Sequence, residues 1–251
     1  MNPFYFGPSD RPLFGLFTRG RESAPDMGAV LLCYPVGSEY MRAHRAFRQL
    51  NTLLNRVGFH VLRFDYSCTG DSAGEGQDAR VADWLDDVTW AIEELEDTAM
   101  VDTVSVVGLR WGATLAALAT RGREDVDRLI LWDPVVCGST YLDAQVGSPR
   151  PTGVVGIEGY PYTAALREEM DAIDLRRDAP DLPGEIAFMV AEDRKAYREY
   201  EAAIRTAGKQ PGYEVVPAPG DWAQVDPFGD ALIPQDIIQA IIQQLSRGRA
   251  T

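Results

Sequence analysis

Cysteine is scarce in this 251-residue chain, and Cys33, Cys68 and Cys137 form an odd, dispersed set without metal-ligand spacing. That excludes a disulfide framework and a paired-cysteine zinc site, and it fits a reducing cytoplasm. Long apolar runs are missing too, since nothing approaches the roughly 18 residues of a membrane span. The first residues, Met1–Gly7, carry neither the basic nor the apolar segment of a signal peptide. Basic charge is short: 24 Lys and Arg against 38 Asp and Glu leave a net charge of −14. Such a balance argues against nucleic acid or an anionic membrane as partner and for a soluble protein. The glycine-rich stretch Asp65–Gly76 has neither Gly-x-Gly-x-x-Gly spacing nor a Gly-Lys-Ser/Thr ending, so no phosphate-binding cofactor site is expected and no cofactor is called for.

What is present is a regular alternation of short apolar runs with helical spacing, read as one α/β domain over residues 1–251. An antiparallel hairpin is expected from Phe4–Phe6 and Leu13–Thr18 across a Gly-Pro-Ser-Asp-Arg-Pro turn. Ala29–Tyr34 reads as a strand buried on both faces, followed by a helix over Met41–Val57 and a strand over Phe59–Phe64. A helix from about Arg80 to Asp97 buries Val81, Trp84 and Leu85, with Asp83, Asp86, Asp87 and Glu93 on a solvated acidic face and no metal site implied. Arg128–Trp132, Glu185–Val190 and Tyr213–Pro217 continue the strands, and Asp193–Ala207 and Pro234–Leu245 the helices. From 135 to 183 the rhythm breaks into a glycine- and proline-punctuated stretch with one helix near Thr163–Ile173, read as a lid inserted over the C-terminal edge of the sheet.

The chain is organised around Val104–Ala116, a strand, a sharp turn and a small-residue helix. This is the context of a nucleophile elbow, in which Gly-x-Ser-x-Gly lifts a serine above a sheet. Here it reads Gly108-x-Arg110-x-Gly112, and a guanidinium that stays protonated is no acyl-transfer nucleophile.

With these elements the chain resembles the α/β-hydrolase superfamily over nearly its whole length. Asp65-x-x-Cys68-x-Gly70-x-Ser72 is similar to a loop common in esterase and serine-aminopeptidase-like members, with Cys68 in place of a glycine. Gly37–Arg45, Leu62–Tyr66 and Pro219-Gly220-Asp221-Trp222 resemble hydrolase-like proteins associated with bacterial exosortase A loci. That narrower likeness implies a setting of exopolysaccharide production and protein sorting rather than a known reaction.

The resemblance implies a nucleophile at the elbow, a carboxylate after the seventh core strand and a histidine after the eighth. Arg110 holds the first position and Asp193 the second, with Glu192 beside it. The loop from 217 to 233 has no histidine, and Asp221 or Trp222 stands roughly there. A standard serine triad is therefore not expected. His44 shares a helical face with Phe47 and Leu54 and is a candidate proton carrier looking toward the cleft, or a structural histidine; His60 reads as structural. Cys68 becomes reactive only if an arginine depresses its pKa. Cys33 reads as a small core hydrophobe and Ser72 as a loop-shaping hydroxyl.

Arg110 has two readings: an internal pair with Asp193, or an anion site reinforced by the helix N-terminus. The leading expectation is a small acyl or anionic molecule bound under the lid by Arg110, with Trp111 and the Val36–Gly37 loop supplying amides. Asp193 or His44 would then move protons in any non-serine chemistry. The alternative is a catalytically inactive scaffold that binds a protein partner or a second copy. A third is a hydrolase using Ser72 or Cys68.

Overall fold

The computed structural model describes residues 2–147, 153–179, 181–218 and 233–249. Its frame is an eight-stranded sheet of β1 (Asn2–Phe6), β2 (Leu13–Thr18), β3 (Ala29–Cys33), β4 (His60–Phe64), β5 (Val104–Leu109), β6 (Val126–Trp132), β9 (Glu185–Val190) and β10 (Gly212–Val215). The spatial order is β1-β2-β4-β3-β5-β6-β9-β10. Only the β1–β2 and β2–β4 pairings are antiparallel. β3 is buried along its whole length, as its unbroken apolar run predicts for a central parallel strand.

Helices α1 (Ser38–Val57) and α8 (Gln235–Ser246) pack together on one face of the sheet. Helices α2 (Val81–Ala99) and α3 (Trp111–Ala119) pack together on the other. The stripe Ala43, Phe47, Leu50 and Leu54 buries α1, and Gly58 ends it in the left-handed conformation, at φ 112°, that a glycine adopts without a Cβ clash.

The acidic face expected on α2 is interrupted at Asp87. This carboxylate is fully buried, and its Oδ2 accepts bonds of 2.7 Å from both the amide and the hydroxyl of Ser67. Asp87 is one turn on from Trp84, so it lies at the margin of the buried stripe, where a loop brings it donors. Burial drives its pKa up to about 6, against the opposing pull of Ser67 and Arg11.

The segment 135–183 is richer in regular structure than its glycines and prolines suggest. It contains α4 (Gly138–Val146), a hairpin of β7 (Val155–Ile157) and β8 (Tyr160–Tyr162), α5 (Ala164–Asp171) and the short α6 (Leu175–Asp178). Here α5 starts where the expected helix does, with Thr163 accepting from the Leu166 amide at 3.1 Å as N-cap. Helix α4 escapes a periodicity reading because its hydrophobic face is short, Tyr141 and Leu142 being its buried side chains besides Gly138. Helix α7 (Lys195–Thr206) follows β9. Among the described residues, no helix is long and apolar enough to cross a membrane.

Candidate functional site

The strand order reverses at β3, whose neighbours are β4 on one side and β5 on the other. At such a switch point the connections leave in opposite directions and open a crevice at the C-terminal strand ends. The loop after β3 brings Val36, Gly37 and the first turn of α1 to one side of that crevice. The turn after β5 brings Arg110 to the other.

Arg110 has φ 54° and ψ −119°, a strained conformation for a residue with a side chain. The flanking glycines make the turn feasible. A Cβ on Gly108 would come within 2.5 Å of the Ala113 Cα, and one on Gly112 would collide with the carbonyls of Cys33 and Tyr34. The Arg110 amide donates to Trp132 O at 3.0 Å, and its carbonyl accepts from the amides of Ala113 at 3.1 Å and Val135 at 3.3 Å. The elbow frame is therefore intact.

Its centre is occupied by an ion pair. Glu39, in the first turn of α1, accepts from Arg110 Nε and Nη2, each at 3.2 Å. The Glu39 side chain is 1% exposed and that of Arg110 13%. Arg110 Nη1 also lies 3.4 Å from the carbonyl of Asp133. Burial opposes the guanidinium charge, but Glu39, Tyr197 and Tyr141 outweigh it, and Arg110 is held in its protonated form more firmly than usual. Tyr141, Tyr162 and Tyr197 are all buried around the pair. Burial also lifts the Tyr197 hydroxyl to about 12, and Arg110 bonds it. The Tyr162 hydroxyl stands directly over the Cα of Gly37, where any Cβ would strike it.

The expected Arg110–Asp193 pair does not form. Asp193 is exposed, and its carboxylate accepts from Arg198 Nε at 2.8 Å and Nη2 at 3.1 Å, and from the Tyr213 hydroxyl at 2.9 Å. The reason is local: Arg198 lies one helical turn along α7 and stacks at 3.5 Å over the Tyr213 ring, so the carboxylate turns outward to a nearer cation.

His44 does not share the burial of Phe47 and Leu54 on α1. Phe47 and Leu54 are fully buried, while His44 is on the exposed flank of α1, beside the rings of Tyr34 and Tyr40 with centroids 6.3 Å away. At 100° per residue His44 sits some 60–80° from the Phe47–Leu54 stripe, enough to leave the core. Packing against the rings and the charge of Arg63 push its pKa down, with Asp65 opposing.

Cys68, at φ 62°, lines a small cavity instead of meeting an activating arginine, and burial together with Asp78, Asp83 and Asp87 raises its thiol pKa. Cys33 is buried, with its thiol pushed up to about 12. Ser72 bonds backbone as expected, donating to Asp65 O at 2.5 Å and accepting from Phe14 N at 2.8 Å. His60 accepts from Gly20 N at 3.3 Å and stacks on Phe17. Trp111 is fully buried, stacked on Tyr141, and Val36 is 2% exposed. As the first residue of α3, Trp111 has an amide with no acceptor within its own helix. Asp221 and Trp222 lie outside the described residues.

Glu39 is the site residue that sequence reasoning missed. Its signal was its phase: positions 39, 43, 46, 47, 50 and 54 share the buried stripe of α1, and an acid on a buried stripe requires a partner.

A cavity of about 40 Å³ beside Gly37 is lined by Val36, Cys68, Trp84, Tyr160 and Leu166 among others. Pockets for drug-sized ligands run to about 300–1,000 Å³. A larger groove of about 640 Å³, at Gly122, Asp127, Gly184 and Lys209, belongs to the opposite edge of the sheet, where β6 and β9 begin.

No family model matches the chain, and no curated protein matches it. Solved structures do. The ferulic-acid complex of Est1E from Butyrivibrio proteoclasticus is 14% identical, with 97% of this chain and 96% of that one covered at a TM-score of 0.74. An esterase from Pyrococcus furiosus is 12% identical over 99% of this chain and 91% of its own, at 0.70. Mouse alpha/beta hydrolase domain-containing protein 10 is 17% identical over 98% and 97%, at 0.62. Identities this low speak for architecture alone: a mostly parallel sheet flanked by helices, with an elbow after β5 at the switch point, gives this chain the α/β-hydrolase fold.

Proposed function

We propose that this protein is a catalytically silent user of the hydrolase fold that acts by binding, within a biosynthetic assembly, rather than by hydrolysis. The observation that carries the reading is the Glu39–Arg110 pair in the middle of the elbow. A buried carboxylate already sits on the guanidinium, so an incoming carboxylate or phosphate competes with an internal one. Removing either partner alone takes the counter-charge from a buried ion.

The rest of the site supports the same reading. Asp193 pairs outward with Arg198, His44 is exposed on α1, and the chain's other histidine, His60, opens β4 at the far end of its strand. Among the described residues, neither histidine nor Asp193 is paired with Arg110 at the elbow. The phrases Gly37–Arg45 and Leu62–Tyr66, which resemble exosortase A-associated proteins, imply an assembly concerned with exopolysaccharide production and sorting.

The test is turnover. Wild-type protein and R110A, assayed with p-nitrophenyl acetate and a fluorophosphonate probe, are expected to give equal, background signals. Turnover abolished in R110A restores an active elbow. Labelling abolished by S72A, or thiol-probe labelling with turnover abolished by C68A, instead identifies an unorthodox nucleophile.

A further inference from the structure

The tip of the β7–β8 hairpin is a two-residue turn, Glu158-Gly159, with φ 48° and 91°. Two consecutive positive φ values are the signature of the mirror-image turn that suits hairpin twist, and its first position favours Asn, Asp or Gly. A glutamate there is costly, and a strained residue of this kind invites a functional explanation. Its carboxylate crosses to α1: Arg42 Nη2 donates to Oε1 at 2.7 Å and to Oε2 at 2.6 Å, and Ser38 bonds it as well. The Glu158 side chain is 52% exposed and that of Arg42 15%.

Directly after this tip, Tyr160 and Pro161 form the roof of the 40 Å³ cavity, whose floor is Val36, Gly37, Cys68 and Trp84. No charged side chain lines that cavity. We propose that the hairpin is a roof latched at its tip by Glu158 on Arg42 and Ser38, and that releasing the latch opens the cavity to a small, neutral aromatic or acyl group. The choice of a neutral ligand rests on the reading above, in which Glu39 has already neutralised Arg110; the latch does not depend on it.

Cys68 in the cavity floor reports on the roof. In a C137A background, with Cys33 fully buried, N-ethylmaleimide labelling of Cys68 is expected to quicken about two- to five-fold in E158A and equally in R42A, the range an exposed ion pair supplies. The double variant gains no more than either single one. Molar salt quickens the parent and leaves the variants unchanged, because it screens the exposed pair. A pure field effect on the thiol would instead speed E158A and slow R42A; that pattern, or equal rates throughout, overturns the latch.

For the ligand, methyl benzoate is expected to protect Cys68 in E158A and benzoate is not. Protection by benzoate alone overturns the neutral-ligand assignment. Failure of the silent-elbow reading shows separately, as ester turnover that R110A abolishes.

Discussion

Glu39 and Arg110, 71 residues apart in the chain, meet across the crevice between β3 and β5, with one carboxylate oxygen 3.2 Å from both Nε and Nη2 of the guanidinium. The contact joins the loop that supplies an oxyanion-type amide in this fold to the turn that would carry the nucleophile.

Breaking that pair from either side is expected to destabilise the protein. E39A takes the carboxylate from a buried guanidinium and R110A takes the guanidinium from a buried carboxylate, each expected to cost about 3–5 kcal/mol. The double variant E39L/R110M recovers most of the loss, because neither charge then remains buried. Urea unfolding of the four proteins measures the cycle; a double variant no better than the singles would contradict it.

A serine placed at the elbow is not expected to create a hydrolase. R110S is expected to leave p-nitrophenyl ester hydrolysis at background, since no imidazole is placed to take the serine proton and Asp193 faces Arg198. A burst of nitrophenol with R110S would show that a base reaches the elbow after all.

Asp193 behaves as a surface residue. Its pair with Arg198 has both side chains about half exposed, 50% and 47%. D193A is expected to change stability by no more than about 1 kcal/mol. A loss of several kcal/mol in thermal or urea unfolding would mean that the carboxylate is buried.

Asp87 makes stability depend on pH. Its folded pKa of about 6 lies above the usual Asp value of about 3.9. Its favourable contribution is therefore fully present below about pH 4 and is lost as pH rises through 6. D87N retains an oxygen for Ser67 and carries no charge, so it is expected to be more stable than wild type at pH 7–8 and to lose that advantage toward pH 4. Tm measured against pH for both proteins gives the difference; a constant offset would refute it.

Gly112→Ala is expected to cost at least the ~3 kcal/mol upper range of overpacking, because the new methyl meets two backbone carbonyls that do not move like side chains. Circular dichroism and urea unfolding read the loss, and a Gly112→Ala protein of near wild-type stability would place the α3–β3 contact elsewhere.

Much of this architecture was legible from residues alone. The apolar run 29–33 announces a central strand, Gly108 and Gly112 announce a tight strand–helix turn, and Thr163 announces a helix start. These signals are local: each depends on what a few neighbouring side chains permit the backbone to do. Helix α4 was illegible because two buried side chains and a glycine make no period, and Asp87 because the donors that compensate its burial come from a loop twenty residues away.

The sequence by itself determined the fold, the position of the elbow and the absence of a serine and a late-strand histidine, since spacing and residue type decide those. Only the tertiary structure decided which acid Arg110 takes. Asp193 and Glu39 are both carboxylates near the sheet's C-terminal edge. The choice turns on side-chain direction and desolvation across a crevice: Arg198 and Tyr213 hold Asp193 outward, while the buried stripe of α1 carries Glu39 onto Arg110.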